Sequence, residues 1–139
     1  LVHEDGDRLV LTREFYHPRL RDQIDRSNLR VEIPLRPDAG VTARCALRQQ
    51  PENVTDPGEH RWINQDLAQR IGHNPFAVAP LLLRGRLLGV VGVDRKFELG
   101  VIEHDDFQVL IAFADQAAAT LHTARLERSP AAAAPPGDA

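Results

Sequence analysis

Methionine is absent from all 139 residues, and cysteine, tryptophan and tyrosine occur once each. The lone Cys45 cannot close an intrachain disulfide, which suits a reducing compartment. Excess positive charge is missing as well: 17 Lys and Arg stand against 20 Asp and Glu, a net charge of −3. The basic footprint that nucleic-acid binding needs is therefore lacking. No apolar run reaches the ~18 residues of a membrane helix, and no signal peptide is legible. Nor is there a phosphate-cradling Gly-rich loop, a nucleophile elbow or a carboxylate pair whose spacing certifies catalysis. Without a Met, and opening on Leu1, the sequence reads as a piece of a longer cytoplasmic protein whose effector lies elsewhere.

What is present suits one folded domain: 42% hydrophobic and 27% charged residues are ordinary globular values. The domain is expected over residues 1–128. The Pro/Ala-rich Ser129–Ala139 reads as a disordered tail or linker. The organising stretch is FAVAPLLLRGRLLGVVGVD, Phe76–Asp94. Two short apolar runs joined at Arg84-Gly85-Arg86 predict a hairpin buried on both faces.

Ahead of it, Leu1-Val2 reads as a strand end and His3–Asp7 as a turn on Asp5-Gly6. Glu4, Asp5 and Asp7 lack the twelve-residue calcium-loop pattern. Strands are expected at Arg8–Phe15 and Leu29–Pro34, with a polar segment, Tyr16–Asn28, between them. A short helix is expected over Gly40–Arg48, with Val41, Cys45 and Ala46 inward. Nothing near Cys45 in sequence would activate its thiol. A short strand fits Glu52–Thr55, and a helix fits Asn64–Ile71 with Asn64 as N-cap and Gly72 as C-cap. After the hairpin, Asp105–Arg128 carries Phe107, Leu110, Ile111, Ala114, Ala117, Ala118 and Leu121 at helical spacing. Asp105 and Asp106 suit its N-terminus, and Arg125 and Arg128 its C-terminus.

Three stretches together resemble the GAF family of sensor domains over nearly the whole sequence. GVTARCALRQQPENVTD, Gly40–Asp56, is similar to the family's Gly-led short helix, Pro and closing Asp. Phe76–Asp94 is similar to its strand ending in Pro-Leu, turn, and strand ending in Val-Asp. DDFQVLIAFADQAAATLHTARL, Asp105–Leu126, is similar to its closing helix with Phe-Ala-x-Gln-Ala and Ala-Arg-Leu. The resemblance implies an α+β fold: an antiparallel β-sheet with helices on both faces and a pocket between the sheet and the short helices. Relative to the family pattern, the N-terminal helix and part of the first strand are missing. The family also implies a parallel homodimer through terminal helices, feeding an effector domain such as a histidine kinase in a two-component system.

The family's cyclic-nucleotide motif reads Asn-Lys, then Phe, three residues, and Asp-Glu. Its counterparts here are Asp94-Arg95, Val101 and Asp105-Asp106, so the aromatic ring is lost. A covalent bilin needs a Cys beside the pocket, whereas Cys45 lies on the early helix. The family's methionine-sulfoxide reductases need several cysteines for thiol exchange, and one does not suffice. Haem needs only an axial His, and His60, His73, His104 and His122 are available, none in a haem motif. Glu103, His104 and Asp105 are consecutive, so they point apart rather than converge on a metal.

The pocket candidates are Trp62, Asn64, His73, Asn74 and Phe76 before and at the hairpin's start, and Asp94 and Arg95 at its end. A Trp beside amide and imidazole groups can stack on and hydrogen-bond a small ligand. The dimer or signalling helix is expected to act through Phe107, Leu110, Ala114, Ala117 and Leu121. Two functions follow: a non-catalytic sensor of a small molecule that transmits through the C-terminal helix, or a ligand-free dimerisation spacer.

Overall fold

The hairpin predicted from Phe76–Asp94 forms the middle of the molecule. In the computed structural model, which describes residues 2–12, 31–71, 73–95 and 100–128, its strands are β5 (Phe76–Leu83) and β6 (Arg86–Asp94). The elements before them are β1 (Val2–Asp5), β2 (Arg8–Leu11), β3 (Glu32–Pro34), α1 (Val41–Arg48), β4 (Glu52–Val54) and α2 (Gln65–Ile71); α3 (His104–Arg128) follows. The six strands form one antiparallel sheet in the order β3-β2-β1-β6-β5-β4. Both hairpin strands therefore have a neighbour on each side, and their central residues are buried.

Each face of the sheet carries its own core. On one, Val78 of β5 and Val90 of β6 pack with Val41, Ala43, Cys45 and Ala46 of α1. On the other, Ala77, Ala79 and Leu81 of β5 meet Leu110, Ala114 and Ala118 of α3. Alanine on both sides of this second contact leaves little side-chain bulk between helix and sheet. A β-bulge in β6 serves both layers: Leu81 pairs with Gly89 but Leu82 with Leu87, leaving Leu88 as the extra residue. Leu87 thus packs with the first core and Leu88 with the second, and Val90 and Val91 again divide between them.

Two expected boundaries shift. His3, Glu4 and Asp5, read as part of a turn, belong to β1, and the turn shrinks to Gly6-Asp7. Gly6, at φ 66°, is the first loop residue, where a II′ hairpin places its glycine. The expected strand to Phe15 stops at Leu11 among the described residues. Among the described residues, β1 pairs with β6 at Val2↔Val90 and His3↔Gly89. The polar segment Tyr16–Asn28, the helix stop at Gly72 and the tail Ser129–Ala139 lie outside the described residues.

Candidate ligand pocket

The first core does not close completely. Where α1 and α2 begin, a cavity of about 190 Å³ lies against the sheet. Its sheet side is Phe76 and Val78 of β5 with their cross-strand partners Asp94 and Gly92 of β6, and Val90 further along β6. Ala39, Gly40, Val41 and Thr42 from the start of α1, and Ile63, Asn64 and Ala68 around the start of α2, line the rest with Pro57, His73, Asn74 and Val93.

The joint between the two helix starts depends on Gly40. Its φ of 108° disfavours any side chain, and a Cβ there would stand 2.8 Å from the Cβ of Asn64. Because the glycine lets the segments touch, the Asn64 side-chain amide reaches the Ala39 carbonyl, donating at 3.0 Å. The Asn64 carbonyl in turn accepts the N–H of Ala68, starting α2. Gly92 acts similarly on the sheet side. A Cβ there would lie 3.3 Å from Val78 Cγ1, so the missing side chain keeps the floor open.

Of the residues expected in a pocket, Asn64, His73, Asn74, Phe76 and Asp94 line this cavity together. Trp62 and Arg95 are not among its lining residues. Trp62 packs, half-buried, against the first core, with the Arg44 guanidinium 3.9 Å from its ring centroid and that of Arg61 4.8 Å away. Its π-faces thus meet cations within the chain. Arg95 turns to α3, where its Nη2 stands 3.5 Å from Asp106 Oδ2. Hence two positions matching the family's nucleotide motif do meet, as an ion pair between half-buried Arg95 and exposed Asp106 outside the cavity lining.

Among the described residues lining the cavity there is no Lys or Arg. His73 lies at the exposed rim, its Nε2 3.4 Å from Gln65 Oε1. His60 accepts the Trp62 backbone N–H at Nδ1, and His104 and His122 belong to α3. No cluster of His, Cys, Asp and Glu able to hold a metal occurs among the described residues. Cys45 is fully buried in the first core, and burial, with Glu52 adding to it, pushes its thiol up to about 12.

Residue reasoning missed Gly40, Thr42, Ile63, Ala68 and Gly92. The glycines carried a faint signal, since Gly40 and Gly92 interrupt otherwise apolar or helical patterns. The others look like ordinary core or helix-start residues until the two helix ends are brought together.

Phe107, Leu110, Ala114, Ala117 and Leu121, expected to act in dimerisation or signalling, face the sheet. Leu110 and Ala114 are buried, and Phe107, Ala117 and Leu121 pack half-buried around the same core. They hold α3 on the domain, so a partner chain would meet a different side of the helix. No helix among the described residues is long and apolar enough to cross a membrane.

The known proteins most informative here share this architecture. A methyl-accepting chemotaxis protein fragment, residues 122 to 287, superposes with a TM-score of 0.71 at 20% identity, covering 92% of this chain and 79% of its own. The GAF domain of an Acinetobacter phosphoenolpyruvate-protein phosphotransferase gives 0.64 at 16% identity, covering 91% and 70%. A GAF domain from A. aeolicus in an inactive state gives 0.63 at 12% identity, covering 88% and 72%. At these identities the likeness speaks for the fold alone. No curated protein matches the sequence significantly. The sequence pattern of the GAF domain matches residues 4–121, most of the chain, and the chain belongs to the GAF domain family.

Proposed function

We propose that this domain is a non-catalytic sensor for a small molecule, bound in the cavity at the starts of α1 and α2. The observation that carries the reading is the cavity itself, with an apolar floor of Phe76, Val78 and Val90 and polar Asn64, His73 and Asn74 among its walls. A pocket of that composition can enclose an apolar body and orient it by a few hydrogen bonds. Its volume of about 190 Å³ favours a compact ligand, since a cavity of about 150 Å³ holds benzene. Haem and a whole cyclic nucleotide are poorly matched to that enclosure. The lack of Lys or Arg among the described lining residues also disfavours a phosphate.

Occupancy would draw the α1 and α2 starts toward the sheet that α3 packs against from behind. In this reading α3 carries the output to an effector of the parent protein, such as a cytoplasmic histidine kinase, and two copies pair. The second reading, a ligand-free dimerisation spacer, is favoured by the large apolar side chains that α3 exposes, Val109, Phe113 and Leu126.

A thermal-shift series with small heterocycles, neutral aromatics and amino acids tests the sensor reading. A ligand at about 100 times its Kd adds ~2.7 kcal/mol, a rise of several degrees. Gly92→Leu, which fills the floor, should abolish that rise. Silence across the series removes the sensor reading, and a shift that survives Gly92→Leu moves the site elsewhere.

A further inference from the structure

The outer side of α1 is basic. Val41, Ala43, Cys45 and Ala46 turn inward, which leaves Arg44, Leu47 and Arg48 on the opposite face. Arg44 extends this stripe to one side: its guanidinium and that of Arg61 stand 3.9 Å and 4.8 Å from the Trp62 ring centroid. Arg84 extends it to the other, because the side-chain amide of Gln49, next to Arg48, donates to the carbonyl of Gly85, next to Arg84. None of these four arginines forms an ion pair among the described residues, whereas Arg8, Arg36 and Arg95 do. Arg44 Nε is moreover buried with no hydrogen-bond partner among those residues. None of the four lines the ligand cavity. The backbone is strained here as well. Gln49 at φ 55° and Arg84 at φ 51° are the only non-glycine residues at positive φ among the described ones, and both lie at this one contact. Residues with a Cβ seldom take that conformation, and where they do it tends to serve function.

We propose that this stripe docks a short acidic segment of a partner protein, lying extended across the outer face of α1 from Arg61 to Arg84. Guanidiniums offer donors and no acceptors, so the complementary group is an oxyanion, and a carboxylate meets a guanidinium through two parallel hydrogen bonds. The length of the stripe selects a segment over a small ion. One helical turn separates Arg44 from Arg48, and a side-chain reach at each end brings the whole to ~20 Å. An extended chain of about six residues covers that distance. Charge elsewhere selects a short segment over a broad polyanion. Without these four arginines, 13 of the 17 Lys and Arg remain to face 20 Asp and Glu. A nucleic acid or an anionic membrane would press against that negative remainder, while a short segment touches the stripe alone. Leu47, 46% exposed between Arg44 and Arg48, offers an apolar contact within it. Stacking on Trp62 already restricts Arg44, so little of its freedom is left to lose on binding.

Titration of the 139-residue chain with a dye-labelled peptide of about six residues, Glu alternating with Leu, tests this. Binding is read by the anisotropy of the dye and by the emission of Trp62. Because Arg44 and Arg61 lie against that ring, both signals should saturate together, and the affinity should fall as salt is added. Arg48→Gln should weaken binding by about three- to tenfold at an unchanged melting temperature, since its side chain is exposed. Arg84→Asn should weaken it similarly while raising the denaturation midpoint, which separates lost binding from lost folding. No saturable binding up to about 500 μM peptide, or equal affinity for a peptide with Gln in place of Glu, overturns the proposal. Anisotropy that saturates while Trp62 stays silent, or that both substitutions leave unchanged, overturns the stripe as the site. Tighter binding to phosphatidylserine vesicles or to single-stranded RNA overturns an acidic segment as its occupant.

Discussion

Cys45 and Trp62 show how one residue's meaning depends on its surroundings. Both could have been functional, one as a reactive thiol and the other as a stacking platform. Cys45 sits fully buried, where forming a thiolate means removing a charge from water, so the neutral thiol is held to about 12 against an ordinary 9.0. Its folded value is raised, so its effect on stability is nil below pH 9, where folded and unfolded thiols are both protonated. Between pH 9 and about 12 the unfolded chain ionises alone, and stability should fall by up to about 1.4 kcal/mol per pH unit. Thermal melts at pH 8.5 and 10.5 should therefore show a larger drop for the wild type than for Cys45→Ala. Equal drops would mean that the thiol ionises in the folded protein as readily as outside it. The inertness of Cys45 was legible in the sequence, since no activating neighbour was present. The position of Trp62 was not, because Arg44 comes to its ring from another element.

At the scale of elements, local patterns carried most of the fold. The apolar runs of β5 and β6, the helical spacing of α1 and α3 and the stop at Pro34 all identify elements that form. The β5–β6 turn is tighter than its sequence suggests, with two loop residues, Arg84 at φ 51° and Gly85 at φ 77°. Positive φ at both is the I′ geometry that fits the strand twist, and Asn is the residue that best takes the first position. Gln49, itself left-handed at the end of α1, donates its side-chain amide to the Gly85 carbonyl at 3.2 Å and ties this turn to the helix. Arg84→Asn should stabilise the domain by about 0.5–1 kcal/mol by relieving the backbone cost of arginine there. Chemical denaturation would register it as a higher midpoint at unchanged slope; a lower midpoint would mean that the arginine side chain contributes more than its backbone costs. The bulge at Leu88 was not legible, because an added residue in an apolar run leaves every neighbour apolar.

Across the described residues, one sheet lies between two cores that share β5 and β6. Loss of either layer exposes the other side of the same two strands, so both should unfold together. Trp62, the only tryptophan, reports on the first core, while far-UV circular dichroism is weighted toward the 25-residue α3 over the second. Coincident denaturation midpoints from the two signals are expected; a separate early transition in either would show that the layers are independent. The sequence by itself determined the elements and the family, because hydrophobic period, turn residues and helix-end charges are local properties of the chain. It also named Asn64, His73, Asn74, Phe76 and Asp94, which cluster near the ends of the hairpin strands. Tertiary structure decided the cavity, because its wall exists only where Gly40 lets the start of α1 touch Asn64, 24 residues away in the chain. It also decided the sides of α3, because only contact with Ala77 and Ala79 of β5 determines which face of that helix is buried and which is left outward.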